Sequence, residues 1–287
     1  ICSDPNHDSD NPTTPTEAYP VTFDAVMESL NLTKSIFAFP EGRFAVVYAY
    51  NQGNTTKDAP VAKASYETKS AGILSPVSQK IYLPNGEYDF YSVATNSTTN
   101  KTPDFTNGIS SPLSNGIDYL WWRVPNYSIE SAAANINIVY KHSCSQVVIK
   151  LSSGNGVTIN SVTSAKITPP VTNSTMDLSS GIIPPATTLS NVLFDMGVAQ
   201  NVCQATVLPL QTNTPMQVTF EIVINNEASA RNYQVNIPIP DGKLIAGNSY
   251  LFKAVVDANT ITFPEVSVIA WIVVNEQGTP LYPSEIK

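Results

Sequence analysis

At 287 residues the chain is about twice the length of a common single domain, and its 42% hydrophobic residues can build real cores, which excludes a disordered chain. Charged residues make up only 13%, with 15 Lys+Arg against 23 Asp+Glu for a net charge of −8. A nucleic-acid binder needs a cationic face to displace counterions from phosphates, so this balance excludes one. No apolar run approaches the roughly 18–20 residues that span a bilayer as a helix.

The chain opens Ile1-Cys2-Ser3-Asp4, and Pro5 to Tyr19 is polar and rich in Pro, Asp and Thr. That composition buries too little surface to fold, so residues 1–18 read as a flexible tether. A Cys followed by Ser-Asp and a tether suggests a bacterial lipoprotein whose signal has been removed, with the lipid on Cys2. Ile1 departs from the small residue usual before a lipidated Cys, and a free, exposed thiol is the alternative reading.

From Tyr19 onward the apolar segments are short, alternating and rich in β-branched and aromatic residues. In chain order they are Tyr19–Val26, Phe44–Tyr50, Ile136–Tyr140, Gln146–Leu151, Gln217–Ile224 and Tyr233–Ile237. A period of two over so few residues is the mark of strands with one face inward. Asn-Gly and Asp-Gly turns separate them at Asn85-Gly86, Asn107-Gly108, Asn115-Gly116 and Asp241-Gly242. The 22 prolines sit mostly between or at the ends of the runs, where a missing N–H costs little. No segment sustains a 3.6 period with caps; Asp24–Leu32 comes nearest and is at most one short turn. The fold class is therefore all-β, built from sandwiches. A boundary falls best near Ser131–Ala134, giving an N-terminal sandwich over 19–134 and a C-terminal one over 135–287.

Chemistry is sparse. His7 lies in the tether and His142 at a strand, so no pair has metal-ligand spacing. There is no G-x-S-x-G elbow, Walker loop, H-E-x-x-H or dinucleotide fingerprint, so we expect no catalytic residue, metal or cofactor. Cys144 and Cys203, 59 residues apart, would pair in an oxidising envelope or else serve as two small buried hydrophobes. Trp121 and Trp122 are adjacent and must point to opposite faces of a strand. They supply either core and interdomain packing or, on one face, a stacking platform for a sugar ring.

Four segments carry a resemblance. They are Tyr82–Tyr91, Asp118–Trp122, Tyr140–Ile149, and Leu244–Val256 leading to Val268-Ile269-Ala270-Trp271. Their order resembles the fimbrillin-like proteins of Bacteroidetes, the superfamily of major and minor fimbrillins and tip pilins of type V pili. The resemblance implies two tandem transthyretin-like sandwiches, export as an outer-membrane lipoprotein, and other pilin subunits as partners through donor-strand complementation. In polymerising members a trypsin-like protease cuts a first-domain loop after a basic residue, and a neighbour's strand fills the groove left by the leading strand. Carried onto this chain, Tyr19–Val26 is the leading strand and Arg43 the cleavage point. An ordinary strand-edge arginine is the competing reading, and Lys34 a lesser alternative. In the tail, Pro280 and Pro283 each remove an N–H donor, which suits an accessory, anchor or tip subunit better than a stalk. The alternative function is a carbohydrate-binding surface lipoprotein that never polymerises.

Overall fold

In the computed structural model, residues 16–28 and 37–271 are described. Among them every regular element is a strand, apart from one 3₁₀ turn at Pro240–Gly242. No helix of the described residues is long and apolar enough to cross a membrane. Asp24–Met27, the start of the one segment with a hint of helical period, is strand.

The first eleven strands are β1 (Tyr19–Met27), β2 (Phe37–Ala38), β3 (Phe44–Asn51), β4 (Ala62–Ser70), β5 (Ile73–Pro76) and β6 (Ile81–Leu83), then β7 (Gly86–Thr95), β8 (Phe105–Thr106), β9 (Ile109–Ser110), β10 (Tyr119–Ile129) and β11 (Ala134–His142). Nine of them form one sheet in the order β11-β10-β7-β3-β4-β5-β1-β2, with β6 also on β1; β8 and β9 make a separate hairpin. A further pairing of β11 with β1 closes that sheet on itself. Closure removes the exposed row of N–H and C=O groups that an open sheet would present.

Pairing assigns β11 to this first sheet, although it reads in the sequence as the opening strand of the second half. The Ala132–Ala134 run that looks like a linker completes a tight turn instead. Asn85 Nδ2 donates to Ser131 Oγ at 2.7 Å, and Asn85 Oδ1 accepts from the Ser131 N–H.

The second half contains β12 (Ser145–Ser153), β13 (Ile159–Ile167), β14 (Phe194–Asp195), β15 (Gly197–Ala199), β16 (Val202–Val207) and β17 (Leu210–Gln211), then β18 (Met216–Ile224), β19 (Arg231–Ile237), β20 (Lys243–Leu244), β21 (Asn248–Val256) and β22 (Ile261–Ala270). A five-stranded sheet, β15-β16-β12-β21-β22, and a four-stranded sheet, β14-β13-β18-β19, share a core of residues such as Val147, Ile149, Phe220, Ile222 and Phe252. Alternation along β12 and β18 supplies the inward set, as expected for two sheets packed face to face.

A third cluster joins the halves. The central strands β3 and β7 are buried on both faces. Ala45, Val47, Ala49 and Phe90 point into the first core. Val46, Tyr48, Tyr50, Tyr91 and Val93 pack instead against Met176, Leu178, Ile183 and Leu208 of the second half. Hydrogen bonds stitch the same boundary: Leu178 N–H to Gly108 O at 2.9 Å, Leu113 N–H to Ser174 O at 2.9 Å, and Asn115 Nδ2–H to Pro170 O at 2.8 Å.

Candidate functional site

The period of two in β1 has a direct structural consequence. Val21, Phe23, Ala25 and Met27 point inward and are buried, while Thr22 is exposed on the outer face. Phe23 meets Tyr66 edge-on at 5.6 Å between centroids and Phe90 at 6.0 Å. β1 is not an edge strand. On one side it runs parallel to β11 over seven registered positions, from Val21↔Ala134 to Met27↔Tyr140. On the other it is antiparallel to three short strands in succession: β6 at Tyr19–Val21, β5 at Phe23–Asp24 and β2 at Val26–Met27. Beyond these ladders, Ala25 N–H donates to Gly72 O at 2.8 Å and Glu28 N–H to Tyr140 O at 2.8 Å.

β1 is thus the closing strand of the ring. Taking it out would leave an apolar slot floored by Tyr66, Leu74, Phe90, Ile136 and Ile138, with unpaired backbone along both walls. The deep end of the slot is fixed by Tyr140, which is fully buried. Its hydroxyl lies 2.7 Å from Ser92 Oγ, and Ser92 Oγ donates to Val46 O at 2.9 Å. Burial holds the Tyr140 phenol well above the ordinary tyrosine range, so the pair is a neutral hydrogen bond.

Arg43 sits where the chain returns from β2 to β3. Its N–H donates to Thr68 Oγ1 at 2.8 Å, its carbonyl accepts from Thr68 N–H at 2.9 Å, and its Nε–H donates to Asn96 Oδ1 at 2.8 Å. Gly42, at a φ of 73°, makes the preceding turn, and its N–H bonds Thr68 O at 2.7 Å. A protease must draw out several residues on either side of the bond it cuts, and here those residues are tied to β4. Cys2 and Lys34 lie outside the described residues.

Both tryptophans are used in packing. Trp122 is buried in the first core. Trp121 lies at the boundary of the halves, with its indole N–H donating to Leu178 O at 2.8 Å. Gly181, at a φ of 71°, passes so close beneath Trp121 that a Cβ there would lie 2.4 Å from Trp121 Cγ. In this arrangement Trp122 packs in the first core and Trp121 against the second half.

Cys144 and Cys203 are free thiols, each buried in a different cluster, so the disulfide expectation gives way to the buried-hydrophobe reading. Cys203 faces Ile149 across the β12–β16 ladder inside the second core, whereas Cys144 packs at the boundary of the halves. Burial pushes the Cys203 thiol up to about 12 and the Cys144 thiol further still. At pH 8 the reactive thiolate is then scarce. Native protein treated with iodoacetamide at pH 8 is expected to leave both residues unmodified, and both should react after denaturation in guanidinium. Rapid labelling of either in the folded state would contradict this burial.

One constellation had no sequence signal to assemble it. His142 Nδ1 lies 2.7 Å from Asp118 Oδ1, both side chains buried, and the imidazole stacks on Trp271 at 4.0 Å with the planes 6° apart. The three residues come from segments already singled out, but nothing in their spacing says that they meet. Among the described residues no group of three or more His, Cys, Asp or Glu is placed to hold a metal ion.

A sheet closed on itself by its first strand, backed by a second all-β body, defines a β-rich protein of packed sheets. The chain belongs to the fimbrillin-like family, whose signature matches residues 40–271. Three solved structures have a similar fold, all described as candidate cell adhesion proteins of Bacteroides. One from B. uniformis has a TM-score of 0.64 at 15% identity, covering 88% of this chain and 99% of that one. One from B. ovatus has a TM-score of 0.63 at 14% identity, with coverages of 90% and 100%. One from B. fragilis has a TM-score of 0.57 at 15% identity, with coverages of 87% and 96%. No curated protein matches the sequence.

Proposed function

We propose that the chain is a surface adhesin or fimbrial subunit that joins its neighbours by strand exchange at the seat of β1. The observation that carries this reading is the position of β1: a single alternating strand that closes the sheet and covers an apolar slot. A vacated slot is costly, because buried apolar side chains meet water and two rows of backbone groups lose their partners. An extended segment of another subunit, with apolar residues at every second position, restores both.

The route to vacancy is a cut in the β1–β3 connection, whose basic residues are Lys34 and Arg43. Either cut leaves β1 held only by its ladders and its four inward side chains. Before a cut at Arg43 the residue would first have to leave Thr68 and Asn96. Export as a lipoprotein on Cys2, with a tether to residue 18, would deliver the subunit to the outer membrane. The prolines of the tail, Pro280 and Pro283, suit an accessory, anchor or tip position.

The test is limited trypsin digestion of the purified chain, followed by mass spectrometry and by SDS electrophoresis without boiling. The expected result is one early cut between Glu28 and Phe44, loss of the β1 fragment, and multimers that survive SDS but fall apart on boiling. Digested protein that sheds β1 and stays monomeric, or that unfolds outright, would overturn the assembly reading.

A further inference from the structure

We propose that the seat of β1 is coupled to the end of β22 through β11, with Trp271 as the latch between them; the inference rests on the strand-exchange reading and adds a control to it. The starting observation is an imbalance in how β11 is held. Seven of its residues, Ala134 to Tyr140, are registered with β1, while only Lys141 and His142 are registered with β10. When β1 is in place β11 is an interior strand. When β1 is gone, Ala134–Tyr140 keeps no ladder partner among the described strands, and only the His142 end remains tied.

That end is where Trp271 sits. The His142 ring is held from below by Asp118 and covered by the Trp271 indole, and Trp271 is itself 4% exposed. The backbone of Trp271 is fixed from the other half, its N–H donating to Gly247 O at 2.6 Å, while Gly247 N–H donates to Cys144 O at 2.7 Å. The residue that follows β22 is therefore seated on the last residue of the strand that β1 supports. Sixteen residues of chain follow Trp271.

The latch is closed against a cost. Trp271 Nε1 and Asp118 Oδ2 are both buried with no hydrogen-bond partner among the described residues, where the indole is held by stacking and by its backbone. A group buried unsatisfied favours leaving for water as soon as the packing that encloses it loosens. Loss of β1 frees β11, the His142 platform loses its rigidity, and Trp271 is released. By linkage the converse holds: opening the Trp271 seat weakens the grip of β11 on β1 by the same factor.

Amide hydrogen exchange of the full, uncut chain reads this directly, with no protease and no second subunit, so failed multimerisation and failed coupling are separate outcomes. Phe23→Ala loosens β1. It is expected to raise exchange at 134–140 and also at 268–271 by at least about tenfold, while 146–151 and 217–224 keep their rates. Trp271→Ala is expected to raise exchange at 19–27 and 134–140 by a similar factor, and Trp271→Phe, which retains a stacking ring, by far less. If Phe23→Ala is too unstable to purify, Phe23→Leu gives the same pattern at lower amplitude. The coupling is overturned if Trp271→Ala changes only 268–271, or if loosening β1 leaves 268–271 as protected as before.

Discussion

Phe23→Ala is expected to lower the unfolding free energy by about 3–5 kcal/mol, the range for deleting a fully buried aromatic ring from a core that cannot collapse around the gap. The argument is geometric. Phe23 is 1% exposed and its ring touches Tyr66 and Phe90 edge-on, so removing the ring leaves those two rings facing a gap. Its backbone is meanwhile paired on both sides, with Ile136 and with Leu74, so β1 cannot slide inward to fill the void. Thr22→Ala, one residue away on the exposed face, is expected to stay within about 0.5 kcal/mol of the parent. Urea titrations followed by fluorescence measure both. A Phe23→Ala loss below about 1 kcal/mol would mean that the strand is not seated as described. Since domains are commonly stable by only about 5–15 kcal/mol, one side chain in the closing strand sets much of the margin.

Gly181→Ala is expected to lower the unfolding free energy by about 2–5 kcal/mol. Two costs combine. At a φ of 71° an L-residue carries about 1–2 kcal/mol of left-handed strain. The new Cβ would also fall 2.4 Å from Trp121 Cγ, and forcing a well-packed contact apart costs about 1–3 kcal/mol more. The ring cannot simply rotate away, because its N–H is committed to Leu178 O. A double-mutant cycle separates the two costs. In a Trp121→Ala background the same glycine substitution should cost only the backbone strain, about 1–2 kcal/mol. Equal losses in both backgrounds would show that Gly181 is needed for its conformation and not for its contact with the indole.

Much of this fold was legible because alternation reports which face of a strand is wet. Tyr19–Val26 read as a strand from its period and is one, extended by Met27. Alternation does not report partners. β1 finds β11 more than a hundred residues away, in parallel, and neither segment carries a mark of that pairing; hence β11 looked like the start of a new body. The Phe44–Tyr50 run shows the same limit from the other side. Its even face, Val46, Tyr48 and Tyr50, is as apolar as its odd face because it meets the second half, and a single sequence cannot distinguish a strand with two dry faces from a run rich in aromatics. Trp121 and Trp122 were read correctly as opposite-facing, yet only the coordinates place one in the first core and the other over Gly181. The Asp118–His142–Trp271 stack was invisible for the same reason: three polar or aromatic residues in three segments say nothing of one another until the sheet closes.

The parallel registry of β1 and β11 has a mechanical corollary. Tension applied along a strand in that position acts lengthwise on its rungs, so seven must yield together in shear. A hairpin tugged open from one end parts rung by rung. A strand lying where β1 lies is therefore loaded in the more resistant geometry.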